Sequence, residues 1–181
     1  MDNMILYFQE TQLQIPLTNR EFLAFKFSIA HSTHGILTCI DKKIMIKATK
    51  KFCNNKTEPT LIDMYFQHAI CLINIYATLF EQISTIIQMI REAKSQATHT
   101  NCVFLVICDL NIDIQLQTNH SRTFVQYMEM KNLQEITRKL SPRRKTIIHH
   151  IWTNFPIKQC EINVTWAYWS DHNIFYALLQ F

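Results

Sequence analysis

C-V-F-L-V-I-C-D-L-N-I-D, Cys102 to Asp113, is the stretch on which the reading of this chain turns. Cys102 to Ile107 is an uncharged, apolar and largely β-branched run. Such a run suits a strand buried on both faces of a sheet. The run then meets Cys108-Asp109-Leu110-Asn111. Period-two alternation sends Asp109 and Asn111 to the same side, just past the strand's end. A carboxylate and a carboxamide aimed together from the carboxyl end of a buried strand are the makings of an active site. The competing reading is a turn in which both merely cap local backbone groups.

Composition bounds what surrounds that strand. The chain has 181 residues, 48% apolar and 18% charged. That profile fits one globular domain spanning residues 1–181, with a substantial core. A net charge of +4 is compatible with a phosphate-bearing partner without demanding one. The six cysteines are scattered with no CxxC pair, several of them inside apolar runs. They read as reduced, buried thiols, not as disulfides or zinc ligands. No charged-then-apolar leader and no membrane-length apolar run is seen, so an intracellular protein, nuclear or cytoplasmic, is expected. Gly35 is the single glycine, where roughly a dozen would be usual for this length. Turns needing positive φ therefore fall to other residues, with Asn54-Asn55 and Asn119-His120 as candidates.

Working outward, Met4 to Phe8 reads as a short strand running into Gln9-Glu10-Thr11. Ile36 to Ile40 and Ile44 to Ala48 read as a hairpin turning at Asp41-Lys42-Lys43, and the basic segment Lys47 to Lys56 as a loop. Leu61 to Phe66 and Ala69 to Ala77 read as a second antiparallel pair. From Leu79 to Ala97 the period changes: apolar residues at 79, 80, 83, 86, 87, 90 and 93 trace a helical stripe. A second helix is expected around Ser121 to Met130 with Ser121 as its N-cap. Ser141 to Lys145 makes a basic turn, and Thr146 to Trp152 and Ile174 to Leu179 are the last strands. Runs of strands interrupted by two helices give a layered α/β arrangement, sheets packed together with helices outside.

The polar residues at the strand ends are Glu10, Tyr76, Asp109, Asn111, His149, Asp171 and His172. Converging on one rim, they would suit a hard divalent cation and phosphate chemistry. Magnesium prefers oxygen ligands, with waters and a substrate phosphate completing its shell. The remaining groups would orient and deprotonate a water.

Q-E-T at 9–11, N-I-Y-A at 74–77, C-D-L-N at 108–111, I-x-H-I-W at 148–152 and S-D-H at 170–172 follow one another as in the endonuclease/exonuclease/phosphatase superfamily, which this chain resembles. The stretch from Leu105 onward is most similar to the endonuclease domains of non-LTR retrotransposons and other mobile elements. The resemblance implies a four-layer α/β-sandwich of the deoxyribonuclease I type, with two packed mixed sheets and flanking helices. It also implies hydrolysis of DNA phosphodiester bonds with magnesium or manganese. Residue by residue, it makes Glu10 and Asp171 metal-supporting carboxylates and Asp109 the group that orients or deprotonates water. Asn111 holds the scissile phosphate, Tyr76 lies near it, and His172 contacts phosphate or moves a proton.

The departures bear on activity. His149 stands where the family places an aspartate that orients the S-D-H histidine. Cys108, Thr78 and Ile174 replace a glycine and two prolines of the pattern, and the family's first strand, with its asparagine, is not seen before Gln9. Besides a DNA endonuclease, the sequence therefore admits a degenerate nucleic-acid-binding remnant, a phosphatase or phospholipid phosphodiesterase of the same superfamily, and a non-catalytic binding module. His31 and His34 read as surface loop residues, and Trp152, Trp166 and Trp169 as packing residues.

Overall fold

The computed structural model describes residues 5–8, 25–30, 37–41, 43–51, 57–66, 68–78, 81–97, 101–137, 148–165 and 174–179. In chain order these form β1 (Ile5–Phe8), β2 (Phe25–Ala30), β3 (Leu37–Asp41), β4 (Met45–Lys51), β5 (Thr57–Phe66) and β6 (His68–Ala77). There follow α1 (Ile83–Ser95), β7 (Val103–Asp109), α2 (Asn119–Met130), β8 (Gln134–Glu135), β9 (His149–Thr153), β10 (Cys160–Thr165) and β11 (Ile174–Leu179).

The organising strand, β7, lies inside a six-stranded sheet of order β4-β5-β6-β7-β9-β8. It runs parallel to β6, joined through α1, and antiparallel to β9. The sheet is thus mixed, and Phe104 to Asp109 are all buried, as the uncharged run predicts. Alternation sorts the strands into two cores. On one face, Cys71, Ile73, Ile75, Phe104, Val106, Cys108 and Trp152 pack against the helices. On the other, Ile62, Met64, Leu72, Leu105, Ile107 and Ile151 pack with Ile40 of β3 and Ile44. Because β3 is the middle strand of a sheet ordered β1-β3-β2, Ile40 places that second sheet against the first. β10 and β11 pair antiparallel with each other.

The helices follow from local chemistry. Ile86, Ile90 and Ala93 of α1 are buried, while Ser84, Gln88, Arg91 and Glu92 face solvent, the stripe expected at a 3.6-residue period. In α2, Phe124 is fully buried and meets Trp152 edge-on at 5.6 Å and His150 at 6.1 Å. Burying a phenylalanine this way contributes about 1.5–3 kcal/mol. No helix among the described residues is long and apolar enough to cross a membrane.

Several expectations are corrected. Leu37–Asp41 and Met45–Lys51 do not form a hairpin: both edges of β3 are taken by β1 and β2, so the chain crosses to the other sheet and β4 pairs with β5. The basic segment expected to be a loop from Lys47 is strand through Lys51; residues 52–56 lie outside the described ones. As the outer strand, β4 carries lysines without cost, since charged side chains guard a sheet edge. The α1 helix starts at Ile83, not at Leu79. Thr118, not Ser121, caps α2: its Oγ1 accepts the Ser121 N–H at 3.1 Å, and Ser121 is buried in the first turn. Asn119 and His120 open that helix instead of turning the chain. Among the described residues, positive φ falls to Asn111, Gln117 and Asn132. At Asn132 the helix is closed by Asn132 N–H to Glu129 O at 2.9 Å and Leu133 N–H to Met128 O at 3.0 Å. A glycine usually takes that left-handed position. Strands β2, β8 and β10 had no counterpart in the sequence reading. Cys71, Cys102 and Cys108 are buried free thiols, while Cys160 is half-buried. Asn54-Asn55, His31, His34, the turn at Ser141–Lys145, Trp166 and Trp169 lie outside the described residues.

Candidate active site at the sheet rim

The carboxyl ends of β6 and β7 lie side by side, with Tyr76 opposite Asp109, and Asp109 is in turn opposite His149 on β9. Directly paired residues point to the same face of a sheet. Tyr76, Asp109 and His149 therefore form one row across three strands, on the face that meets the second sheet. Beneath the row, one pleat down from Tyr76, Asn74 Nδ2 donates to Thr38 Oγ1 at 3.2 Å, both residues fully buried. This bond ties the two sheets together under the rim, and Thr38 is the register partner of Tyr7 on β1.

Asp109 is the centre of the row and is 2% exposed. Its Oδ1 accepts the Asn111 N–H at 3.2 Å, and its Oδ2 lies 3.0 Å from His149 Nε2. Burial of a carboxylate is tolerated when its oxygens are hydrogen-bonded in this way. The His149 side chain is the more open member of the pair, at 18%. Asn111 turns the chain at φ 53°, a left-handed conformation that asparagine tolerates better than most residues. Its Nδ2 donates to Ala77 O at 3.0 Å, which joins the ends of β6 and β7. Asp109 closes its strand, and Asn111 reaches the rim through this turn and not through continued alternation.

On the opposite face His150 is buried and its Nε2 lies 3.0 Å from Ile112 O. A carbonyl only accepts, so this nitrogen carries the proton. The bond anchors the loop that carries Asn111, as does Leu110 N–H to Ile148 O at 3.5 Å. Cys108, paired with His150 across the strands, is no nucleophile: burial, and then the neighbouring Asp109, push its thiol well above the ordinary range.

Of the residues expected at the site, Tyr76, Asp109, Asn111 and His149 are thus brought together, and Glu10, Asp171 and His172 lie outside the described residues. The described residues hold no group of three or more His, Cys, Asp or Glu able to bind a metal ion. Two contributors were missed from the sequence. Asn74 was signalled by its place inside the apolar run C-L-I-N-I-Y-A, where a lone amide needs a partner. The contact of His150 with Ile112 O gave no signal, because it depends on how the loop folds back.

No family model and no curated protein matches the sequence. Among solved structures, the chain is similar to a Bacteroides thetaiotaomicron mannosyl-6-phosphatase, with TM-score 0.70 and 11% identity over 98% of this chain and 85% of that one. It is similar to Danio rerio TDP2 complexed with a single-strand DNA product, with TM-score 0.60 and 9% identity over 89% and 74%. It also matches the endonuclease domain of TRAS1, a telomere-specific non-LTR retrotransposon, with TM-score 0.59 and 11% identity over 98% and 80%. The chain has the α/β fold of the endonuclease/exonuclease/phosphatase proteins.

Proposed function

We propose that this protein is a divalent-metal-dependent phosphodiesterase that nicks DNA, an endonuclease of the mobile-element type, working at the rim of Tyr76, Asp109, Asn111 and His149. The observation that carries the reading is the meeting of a buried carboxylate and a carboxamide at the joined ends of β6 and β7. They do so in a fold shared with a retrotransposon endonuclease domain and with a DNA-bound TDP2.

The donors fit a hard cation in kind. Asp109, Asn111 and Tyr76 offer oxygen atoms, and the sequence adds the carboxylates of Glu10 and Asp171. Glu10 and Asp171 would hold the magnesium or manganese ion, which would supply charge stabilisation at the phosphate. The chain's own groups do the rest. Asn111, steadied by Ala77 O, binds the scissile phosphate, and Tyr76 donates its hydroxyl to the same group. Asp109 sets the geometry from which water is activated, and His172 contacts phosphate or moves a proton. Exposed Lys43, Lys47 and Lys50 give the sheet edge a positive face suited to a polyanion.

Nicking of supercoiled plasmid is the test. Purified protein is expected to nick with magnesium or manganese, to stop with chelator, and to lose about 10³-fold or more in Asp109→Ala, on the scale of an acid–base group. Metal-independent nicking, or full activity in Asp109→Ala, would overturn the reading. A second reading, a sugar-phosphate phosphatase, is favoured by the mannosyl-6-phosphatase likeness. Release of phosphate from mannose 6-phosphate without nicking would select it. A third, a decayed nucleic-acid-binding remnant, draws on His149, which occupies Asp109 Oδ2. DNA binding without hydrolysis would select that one.

A further inference from the structure

We infer that the loop tip at residues 115–118 enters the minor groove of duplex DNA, with Leu116 as an apolar wedge between base steps and the amides beside it reading the groove. The inference rests on the DNA-nicking reading above and names what sets the choice of cutting site.

The loop leaves the rim at Asn111 and ends at Thr118, the cap of α2. Apolar residues alternate along it as Ile112, Ile114 and Leu116. That pattern would send all three inward. Ile112 packs against the helix-face core and Ile114 is 3% exposed, yet Leu116 is 68% exposed. A built turn causes the reversal. Asp113 Oδ1 accepts the Gln115 N–H at 2.9 Å, and Asp113 O accepts the Leu116 N–H at 3.4 Å. The next residue, Gln117, stands at φ 49°, a left-handed conformation that a Cβ disfavours. Arg122 Nε–H holds it there, donating to Gln117 O at 2.6 Å. A left-handed glutamine and an outward leucine are unfavourable features at adjacent positions, fixed by specific bonds. Strain of this kind clusters where a chain contacts a ligand. The other exposed large apolar side chains among the described residues lie elsewhere: Met45 and Tyr65 pair across β4 and β5, and Met130 ends α2.

The surroundings of Leu116 say what it meets. A single leucine offers far less than the roughly 800 Å² that each partner of a stable protein interface buries. Gln115, Gln117, Asn119 and His120 are exposed beside it, Arg122 is exposed one turn on, and no residue from 115 to 123 is acidic. Minor-groove binders combine these parts: amide and basic side chains read the groove, and an inserted leucine or methionine unstacks a base step. A surface without acids also tolerates the phosphates on either side. Leu116 is five residues from Asn111, at most about 17 Å along the chain. That span is about five base-pair rises of duplex. The wedge therefore acts on bases within a few steps of the phosphate that Asn111 holds.

The test uses the full chain and three readouts. These are the nicking pattern on end-labelled duplex DNA, the brightening of 2-aminopurine in duplex DNA on mixing, and hydrolysis of bis(p-nitrophenyl) phosphate. The parent is expected to nick unevenly and to brighten 2-aminopurine, and netropsin, which fills the minor groove, should abolish the brightening. Leu116→Ala should nick the preferred sites about tenfold more slowly, even out the pattern and lose the brightening. Leu116→Met keeps a wedge side chain and should keep all of these. Gln117→Gly should keep the brightening and shift the pattern. In every variant, hydrolysis of the small diester should stay within about twofold of the parent. A Leu116→Ala protein with the parent's pattern, rate and brightening overturns the wedge and leaves the nuclease reading standing. Brightening that netropsin does not touch overturns the groove assignment. Small-diester hydrolysis that falls in Leu116→Ala as far as nicking does would make Leu116 a support of the rim, and also overturns the wedge. Brightening lost only in Leu116→Ala, with no nicking by any protein, overturns the nuclease reading and keeps the loop's role. A parent that hydrolyses the small diester but neither nicks nor brightens duplex DNA overturns both.

Discussion

The two faces of the six-stranded sheet are built from the same strands and differ sharply in chemistry. The helix face is mostly apolar, from Cys71 and Ile75 to Trp152 and Phe124, with Asp63 buried opposite Cys71 far from the rim, and its polar residue near the rim, His150, is spent on a loop carbonyl. The face toward the second sheet has an apolar base in Leu72, Leu105 and Ile107, but a polar upper part in Asn74, Tyr76, Asp109 and His149. His149 and His150 make the contrast most plainly. They are adjacent in sequence, yet one is paired with a carboxylate and the other is edge-on to Phe124. What differs is only the side of the pleat. The helices cover one face of the sheet, and the inter-sheet face carries the polar groups at its upper end.

The largest expected effect breaks the first half of this comparison. Phe124→Ala removes a fully buried ring and should cost about 3–5 kcal/mol of stability, read by urea unfolding. Nicking per folded molecule should change less than about threefold. A much larger loss would show that α2 holds the Asn111 loop through His150. Next, His150→Leu leaves the Ile112 carbonyl without its donor. That should cost about 1–3 kcal/mol and reduce nicking, because the loop carrying Asn111 loosens; equal activity would assign His150 to packing alone. On the other face, Asn74→Ala removes the bond to Thr38. A loss of about 1–2 kcal/mol is expected, with hydrogen exchange rising in both sheets near the rim. Exchange confined to one sheet would mean that the apolar contacts alone join them. The smallest effect lies away from both faces. Asn132→Gly relieves a left-handed residue at φ 57° and should raise stability by about 0.5–1 kcal/mol, read as a small rise in Tm.

Thiol chemistry offers a further check on the helix face. Burial raises the thiols of Cys71, Cys102 and Cys108, so they should stay protonated at pH 8. They should react with an alkylating reagent at the rate of unfolding. Fast labelling of Cys108 in the native protein would mean that the strand end opens.

Much of this architecture is legible along the chain. The uncharged run before Asp109 marks a doubly buried strand, and Ile86, Ile90 and Ala93 mark a helix, because burial imposes its period on the residues that undergo it. The hairpin expected between Ile36 and Ala48 failed for the complementary reason. Spacing shows that two strands are close in sequence, but not that a third already occupies the edge on which they would pair. Ser121 was one turn late as a cap because several hydroxyl residues stand together, and only the backbone decides which one precedes the first helical turn.

For the candidate site, the sequence by itself determined the kinds of groups and their positions at strand ends: Tyr76, Asp109, Asn111 and His149. Local alternation and the limits of apolar runs are properties of the chain alone. Tertiary structure decided who meets whom. His149 is bonded to Asp109 because β9 pairs with β7 in a register that sets them opposite one another, across forty residues of sequence. Asn111 reaches Ala77 because β6 and β7 end level. Register between distant strands is set by the summed packing of both sheet faces, and no local pattern contains that sum.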